Sequence, residues 1–375
     1  MEGTGPAALV ERGLRLLGIV TRRPLVGPQI VSLEVTHACN LRCSFCESHG
    51  SCLATPITAR RTYAGDRRTM STDTVASLCR SLARMRVGRV ELSGKGDPIA
   101  HPELAAIVRI IKGAGLDCSL VTNGTLARPD LAATLVECGL DRLSLSLNAG
   151  TREVYARVSG KDLWDRALSI LREVLARRRA SGARRPHVRA TFVLCRDNAE
   201  DFDAAVGLMC DLRVDAVTAF VMGELPETAH LQLDEAQARG VLAAIPGWSR
   251  RLEAAGIAHD LPNLARDLPL RVGARAPQEN PLQRGLPCYE GWVFTVVGPD
   301  GTVVPCCYCE DLRLGNVVEE DFARLWTGPR YADYRRRSLE MSRTQRPICW
   351  ECYTTCNRAL NNQRIHRRLG FLRRA

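Results

Sequence analysis

The stretch "THACNLRCSFC" carries three cysteines, Cys39, Cys43 and Cys46, with three and then two residues between them. Thiolates bind soft metals and iron–sulfur clusters, and most all-thiolate sites take four of them. Three on one short loop leave a place to fill. A [4Fe–4S] cluster held at three irons keeps the fourth iron open to an external ligand. The alternative is a structural zinc, with His37, His49 or Cys52 as fourth ligand.

A second set lies far along the chain. Cys288 is followed after twelve residues by Gly301, and after four more by Cys306. "CWECYTTC" then supplies Cys349, Cys352 and Cys356. A zinc ribbon from Cys306–Cys309 and Cys349–Cys352 is a rival reading, but its 39 intervening residues exceed the usual ~15–20. That ribbon also leaves Cys288 and Gly301 unexplained. The sixteen cysteines do not read as a disulfide framework. The first residues form no secretory segment, since Glu11, Arg12 and Arg15 interrupt the apolar pattern and favour an amphipathic helix. No apolar run reaches the ~18–20 residues that span a bilayer. The expected location is therefore the cytoplasm, where thiols stay reduced and clustered cysteines point to metal. Cys79, Cys118, Cys138, Cys195 and Cys210 are scattered through apolar segments and read as core.

The elements that must position the first loop are legible from residue 30 to about 222. Short β-branched runs occur at 30–35, 89–94, 118–124, 142–148, 188–194 and 216–222. Helical patterns lie between them near 72–86, 101–114, 129–138, 161–180 and 198–212. Ser71–Thr72 marks one helix start, and Gly115 and Gly139 mark helix ends. Six strands alternating with helices predict a parallel α/β sheet, either an open, partial (β/α)6 TIM-like barrel or a doubly wound sheet. With 45% hydrophobic residues the chain can bury one large core and a smaller one.

In such folds ligands bind at the C-terminal ends of the strands. Cys39, Cys43 and Cys46 follow the first strand, and "SGKGDP" (93–98) follows the second. There Gly94 and Gly96 are expected to let backbone approach a ligand. "TNG" (122–124) ends the third strand, Asn148 the fourth, Cys195–Arg196 the fifth and Gly223–Glu224 the sixth. Singly each is weak; together they line one rim with glycine and polar groups. Cys195 reads as a buried, inert thiol, with a hydrogen-atom donor facing the substrate as the alternative.

With these residues in place the chain resembles a radical S-adenosylmethionine (SAM) enzyme. The Cx3Cx2C motif is intact at Cys39, Cys43 and Cys46, and the resemblance covers about residues 30–222. It implies a partial barrel holding a [4Fe–4S] cluster whose open iron is chelated by SAM. "KGDP", Lys95, Gly96, Asp97 and Pro98, is similar to the family's Gly-Gly-Glu-Pro segment that contacts the SAM amino group. It departs twice, with Lys95 for the first glycine and Asp97 for glutamate. "TNG" and "SLSLN" also resemble the family, which makes Asn123, Ser146 and Asn148 expected SAM-proximal residues. The Cys288–Gly301–Cys306 spacing resembles a SPASM or twitch module. The cysteine count then implies one auxiliary [4Fe–4S] cluster on Cys288, Cys306, Cys349 and Cys352, leaving the roles of Cys307, Cys309 and Cys356 open. The organisation expected is an N-terminal extension (1–29), a core (30–225), a helical segment and linker (226–285), an auxiliary cluster module (286–357) and a basic tail (358–375).

The resemblance further implies reductive cleavage of SAM to a 5′-deoxyadenosyl radical, hydrogen abstraction from a substrate, and a reducing partner such as flavodoxin or ferredoxin. The expected substrate is a small molecule of sugar or aminocyclitol type, oxidised or epimerised. A ribosomal peptide or protein is the alternative. Only about thirty residues precede the first strand, too few for a peptide-recognition domain, which tilts the expectation to a small molecule, or to a peptide delivered by a separate partner. Net charge is +11, concentrated at 177–189 and 357–375, which raises tRNA modification as a further alternative. No aromatic residue interleaves with the 177–189 run, and an arginine-rich solvated surface is the plainer reading. A non-catalytic metal-binding protein completes the set.

Overall fold

The computed structural model describes residues 6–50, 69–223, 226–270, 272, 286–307, 309–344 and 359–372. Cys52, Glu224, Cys349, Cys352 and Cys356 lie outside the described residues. Six strands, β1 (Ile30–Leu33), β2 (Arg89–Leu92), β3 (Cys118–Thr122), β4 (Arg142–Ser146), β5 (His187–Leu194) and β6 (Ala216–Val221), run parallel in sequence order. Before them comes α1 (Pro6–Thr21). Between them lie α2 (Thr72–Arg84), α3 (Leu104–Gly113), α4 (Leu131–Glu137), α5 (Arg152–Ser159), α6 (Trp164–Ala180) and α7 (Phe202–Leu212). This is the partial (β/α)6 barrel, and among the described residues its sheet does not close into a cylinder.

Local chemistry explains the boundaries. The Ser71 hydroxyl accepts from the Thr74 amide at 3.2 Å and caps α2. Gly115 and Gly139 follow α3 and α4 at φ of 74° and 66°, the left-handed conformation that glycine adopts without a Cβ clash.

Alternation within the strands sorts the two faces of the sheet. Val90, Leu92, Leu143, Leu145, Val188, Ala190 and Phe192 are buried in the main core with the helices. The opposite face follows from the register, in which Ser32 pairs with Glu91, Glu91 with Ser119, Ser144 with Arg189, and Thr191 with Thr218. That inner face is polar, and most of its side chains are only half-buried.

The sheet extends beyond the six predicted strands. After α8 (Glu235–Ala254), a seventh parallel strand, β7 (Ala258–His259), joins β6, followed by α9 (Leu261–Asp267). After α10 (Glu290–Val293), β8 (Phe294–Val297) pairs in parallel with β1, Ile30 opposite Phe294. β9 (Thr302–Val304) and β10 (Gly315–Asn316) complete a ten-stranded sheet, then α11 (Phe322–Thr327), α12 (Pro329–Thr344) and α13 (Ala359–Leu372). The boundary near residue 286 is thus a break in sequence pattern but not in the sheet. Gly301, singled out by its spacing, is the left-handed residue (φ 82°) of the β8–β9 turn, where a Cβ would stand 2.5 Å from Asn316 Oδ1.

The segment expected as a basic tail is helical. Ile365 and Leu369 of α13 are buried with Ile19 and Trp292, and the Tyr289 amide donates to Asn362 Oδ1 at 3.0 Å. Arg335 of α12 is buried beside Trp326 and Tyr331, with guanidinium-to-ring distances of 4.5 and 5.0 Å. It also donates to the carbonyls of Gly291 and Trp326, so one side chain ties α10, α11 and α12 together. Among the described residues no helix is long and apolar enough to cross a membrane.

Candidate active site

Cys39, Cys43 and Cys46 stand at the C-terminal end of β1, as the sequence predicts, on a loop pinned from two sides. On one side, the Arg42 and Ser44 amides donate to the carbonyls of Ser159 and Val158, at the end of α5. Phe45, between the second and third cysteines, packs into a small apolar cluster of Val158, Cys195, Met222 and Leu231. On the other side, the Asp97 amide donates to the Ala38 carbonyl at 2.9 Å. The loop is a set of anchors around three thiols.

"SGKGDP" also serves this anchoring, through contacts of its own with the chain. A Cβ on Gly96 would stand 2.4 Å from the Thr36 carbonyl oxygen and 2.6 Å from the His37 carbonyl carbon. Gly94 has φ 133°, and a Cβ there would meet the Glu34 side chain at 2.4 Å. Both glycines admit neighbouring protein rather than open space. Because the unusual backbone falls on Gly94, position 95 tolerates a side chain. Lys95 uses it to reach Glu310, Nζ to Oε2 2.5 Å, and both side chains are nearly buried. That ion pair joins the second strand's loop to the segment following Cys309, and sequence separation hid it.

The Asp97 carboxylate also turns inward. It accepts from the Ile99 and Asn123 amides at 2.9 and 2.7 Å and from the Thr122 hydroxyl at 2.8 Å. Burial pushes its pKa up, opposed by those same donors. Asp97 therefore fastens "KGDP" to "TNG". Replacing it with asparagine turns one acceptor into a donor facing an amide. The expected cost is about 2–3 kcal/mol in urea unfolding, and a change under ~0.5 kcal/mol would refute this role.

Asn123 lies beside the first cysteine. Its Nδ2 is 3.7 Å from Cys39 Sγ and 3.4 Å from Asn40 Oδ1, and its Oδ1 accepts from Thr125 at 2.6 Å. The Ser48 and His49 amides donate to Cys46 Sγ at 3.4 and 3.3 Å. Burial, then the neighbouring Cys46 and Cys39, pushes the Cys43 thiol up to about 12; burial chiefly takes Cys39 to about 11. The Tyr155 hydroxyl, fully buried and without a hydrogen bond of normal geometry, lies within electrostatic reach of Cys43. Its neighbour Ser159 donates instead to the Lys161 carbonyl at 2.7 Å.

The other predicted residues spread around the rim. Ser146 ends β4, half-buried. Asn148 holds φ 58°, and its side-chain oxygen accepts from the Val193 amide at 2.8 Å, linking β4 to β5. Pro98 is buried in the turn after Asp97. Gly223, at the end of β6, comes close to Glu47 of the cysteine loop. Cys195 is 0% exposed within the apolar pocket that receives Phe45, and burial pushes its pKa up to about 11. A thiol so placed does not face the rim. Cys195→Ala is expected to form 5′-deoxyadenosine at an unchanged rate, measured by liquid chromatography.

In the second set, Cys288 is buried, its amide donating to the Ser338 carbonyl at 3.0 Å and its sulfur 3.8 Å from the Tyr334 hydroxyl. The β8–β9 hairpin returns the chain so that Cys306 follows β9 at the end where β8 begins. Cys309 is buried and Cys307 exposed, while the companions Cys349 and Cys352 fall outside the described residues.

Residues 33–209 match the radical SAM superfamily, and residues 288–353 match SPASM, an iron–sulfur cluster-binding domain. The chain belongs to the radical SAM superfamily. A probable GTP 3′,8-cyclase of Saccharolobus solfataricus is 29% identical over 196 residues, 52% of this chain but only 56% of that protein. A PqqA peptide cyclase of Xanthomonas euvesicatoria is 28% identical over 304 residues, 80% of this chain and 74% of the other. Streptococcus suis SuiB bound to S-adenosylmethionine shares the fold with a TM-score of 0.64 at 14% identity, over 88% of this chain and 72% of that one.

Radical SAM membership brings a [4Fe–4S] cluster and SAM, and the SPASM region an auxiliary iron–sulfur cluster. The thiol loop fits such a group. Two backbone amides and the Asn123 side chain already point donors at cysteine sulfur, the arrangement that supports cluster thiolates. A mononuclear zinc fits less well. Among the described residues no three His, Cys, Asp or Glu side chains converge on one ion.

Proposed function

We propose that this radical SAM protein abstracts a hydrogen atom from a small polar molecule, of sugar or aminocyclitol type, and directs it to oxidation or epimerisation. When bound, the cluster and SAM supply the 5′-deoxyadenosyl radical that takes the hydrogen. Cys39, Cys43 and Cys46 are the proposed cluster ligands, and Asn123 the neighbour that donates to Cys39. Lys95, Gly96, Asp97 and Pro98 act by holding the loop, and Ser146 and Asn148 close the rim on the β4 side. The apolar pocket around Phe45 keeps water from the underside of the loop. Cys288 and Cys306, with Cys349 and Cys352, are proposed for one auxiliary [4Fe–4S] cluster. A reduced flavodoxin or ferredoxin is the proposed electron source.

The observation that carries the substrate reading is the polar inner face of the sheet below the thiols. Glu91, Ser119, Ser144, Arg189, Thr191 and Thr218 share it by register, which suits a hydroxylated or charged substrate. The test is anaerobic reconstitution, iron and sulfide counts, and 5′-deoxyadenosine release with aminocyclitols and sugars. About eight irons per chain and substrate-stimulated release support it. Bound zinc without SAM cleavage overturns the radical reading. Similarity to a PqqA peptide cyclase over 80% of the chain favours a second reading, a peptide substrate. Stimulation by peptides and not by polyols would select it.

A further inference from the structure

At the N-terminal ends of the strands, opposite the cysteine loop, lies a cavity. It measures about 490 Å³ and is walled by the starts of β1, β2 and β4, with α1 and α13 across its mouth. Arg12, Arg15, Arg89, Arg142, Arg364 and Arg368 line it against two acids, Glu11 and Asp117. With Glu91, the ion-pair contact of Arg89, six guanidinium groups face three carboxylates, and the cavity stays formally positive.

Not every arginine there is available. Arg15 is structural: buried, it donates to the carbonyls of Gly27 and Arg86, both at 3.1 Å, and fastens α1 beneath the sheet. Arg89 and Arg142 differ. Arg142 NH1 is buried without a hydrogen-bond partner, its closest ion-pair contact being Asp117 Oδ2 at 3.7 Å. Arg89 Nε is likewise buried and unpartnered, and its NH2 lies 3.8 Å from Glu91. Burial lowers the Arg89 pKa, Glu91 and Asp117 oppose it, and the charges of Arg142 and Arg189 add to it. A buried charged donor left without an acceptor is costly, and a cavity between two of them is where an acceptor fits.

We propose that this cavity binds a small ligand through a phosphate or diphosphate group held between Arg89 and Arg142. Planar guanidinium forks match such oxyanions bidentately. Two guanidinium forks, on Arg89 and Arg142, are matched better by a multivalent oxyanion than by a single carboxylate. The volume suits a small molecule. Arg364 and Arg368, one helical turn apart on α13, stand at the mouth and add long-range attraction. Their helix is held in place by Ile365 and Leu369, so the basic C-terminal segment is built into the cavity wall.

The test uses the full chain with its clusters loaded, under anaerobic conditions. Inorganic pyrophosphate is titrated at ionic strength held constant with chloride, following thermal unfolding and calorimetric heat. A saturable rise in Tm is expected. Arg142→Gln and Arg89→Gln are each expected to weaken binding by about 10–100-fold, as for lost hydrogen bonds to a charged group. Should those variants fold poorly, Arg364→Gln with Arg368→Gln, both exposed, is expected to weaken binding and flatten its salt dependence. A Tm that tracks ionic strength alone, or unchanged affinity in all these variants, overturns the proposal.

Discussion

Cys43→Ala is expected to abolish 5′-deoxyadenosine formation and to lower bound iron from about eight to about four atoms per chain. Burial, then Cys46 and Cys39, pushes the Cys43 thiol up to about 12. Two remaining thiolates offer only two protein bonds to the proposed cluster, and neither Tyr155 nor Asn123 can substitute as a thiolate. Iron retained by the second cysteine set separates loss of one cluster from loss of the fold, which circular dichroism would check. An unchanged iron count with full activity would mean that another residue replaces Cys43. The same raised pKa values fix a sign for assembly. Thiols protonated at neutral pH must release their protons on loading, so reconstitution is expected to become more complete from pH 7 to pH 9.

Lys95→Ala is expected to destabilise the chain by about 3–5 kcal/mol, the usual cost of removing one partner from a buried ion pair. The substitution removes the ammonium that stands 2.5 Å from the Glu310 carboxylate, whose side chain is 8% exposed. A paired replacement, Lys95→Met with Glu310→Leu, is expected to recover most of that loss, because apolar packing often equals or exceeds a buried salt bridge. The pair spans the loop after β2 and the segment beside Cys309, so the single variant should also raise the KM for SAM more than it lowers kcat. Urea unfolding and steady-state kinetics check both. Equal destabilisation by the single and double variants would assign the effect to lost packing instead.

Local rules carried much of the architecture. The six strands lie within a residue or two of their β-branched runs. Ser71, Gly115 and Gly139 punctuate the helices as their conformational preferences require. The elements that were not legible are short or rely on distant pairing. α5 has only eight residues, β7 has two, and β8 reads as part of a cysteine-rich module until it is seen paired with β1. Parallel pairing across more than 250 residues leaves no local periodicity to detect. The basic tail shows the same limit. Its arginines were visible, but only packing of Ile365 and Leu369 turns them toward a cavity.

The sequence by itself determined the chemistry class, because the spacing of Cys39, Cys43 and Cys46 behind a strand is a covalent fact that folding does not alter. It also determined the parallel α/β plan, since alternating two-residue and helical periods leave few topologies. Only the tertiary structure decided what the neighbouring motifs do. Gly94, Gly96 and Asp97 have the types expected of a ligand-facing loop, and within the chain they contact Glu34, Thr36, His37, Thr122 and Asn123. Lys95 met its partner 215 residues away. The physical reason is that a side chain's role is set by what lies within a few ångströms, and sequence order records that distance only for near neighbours.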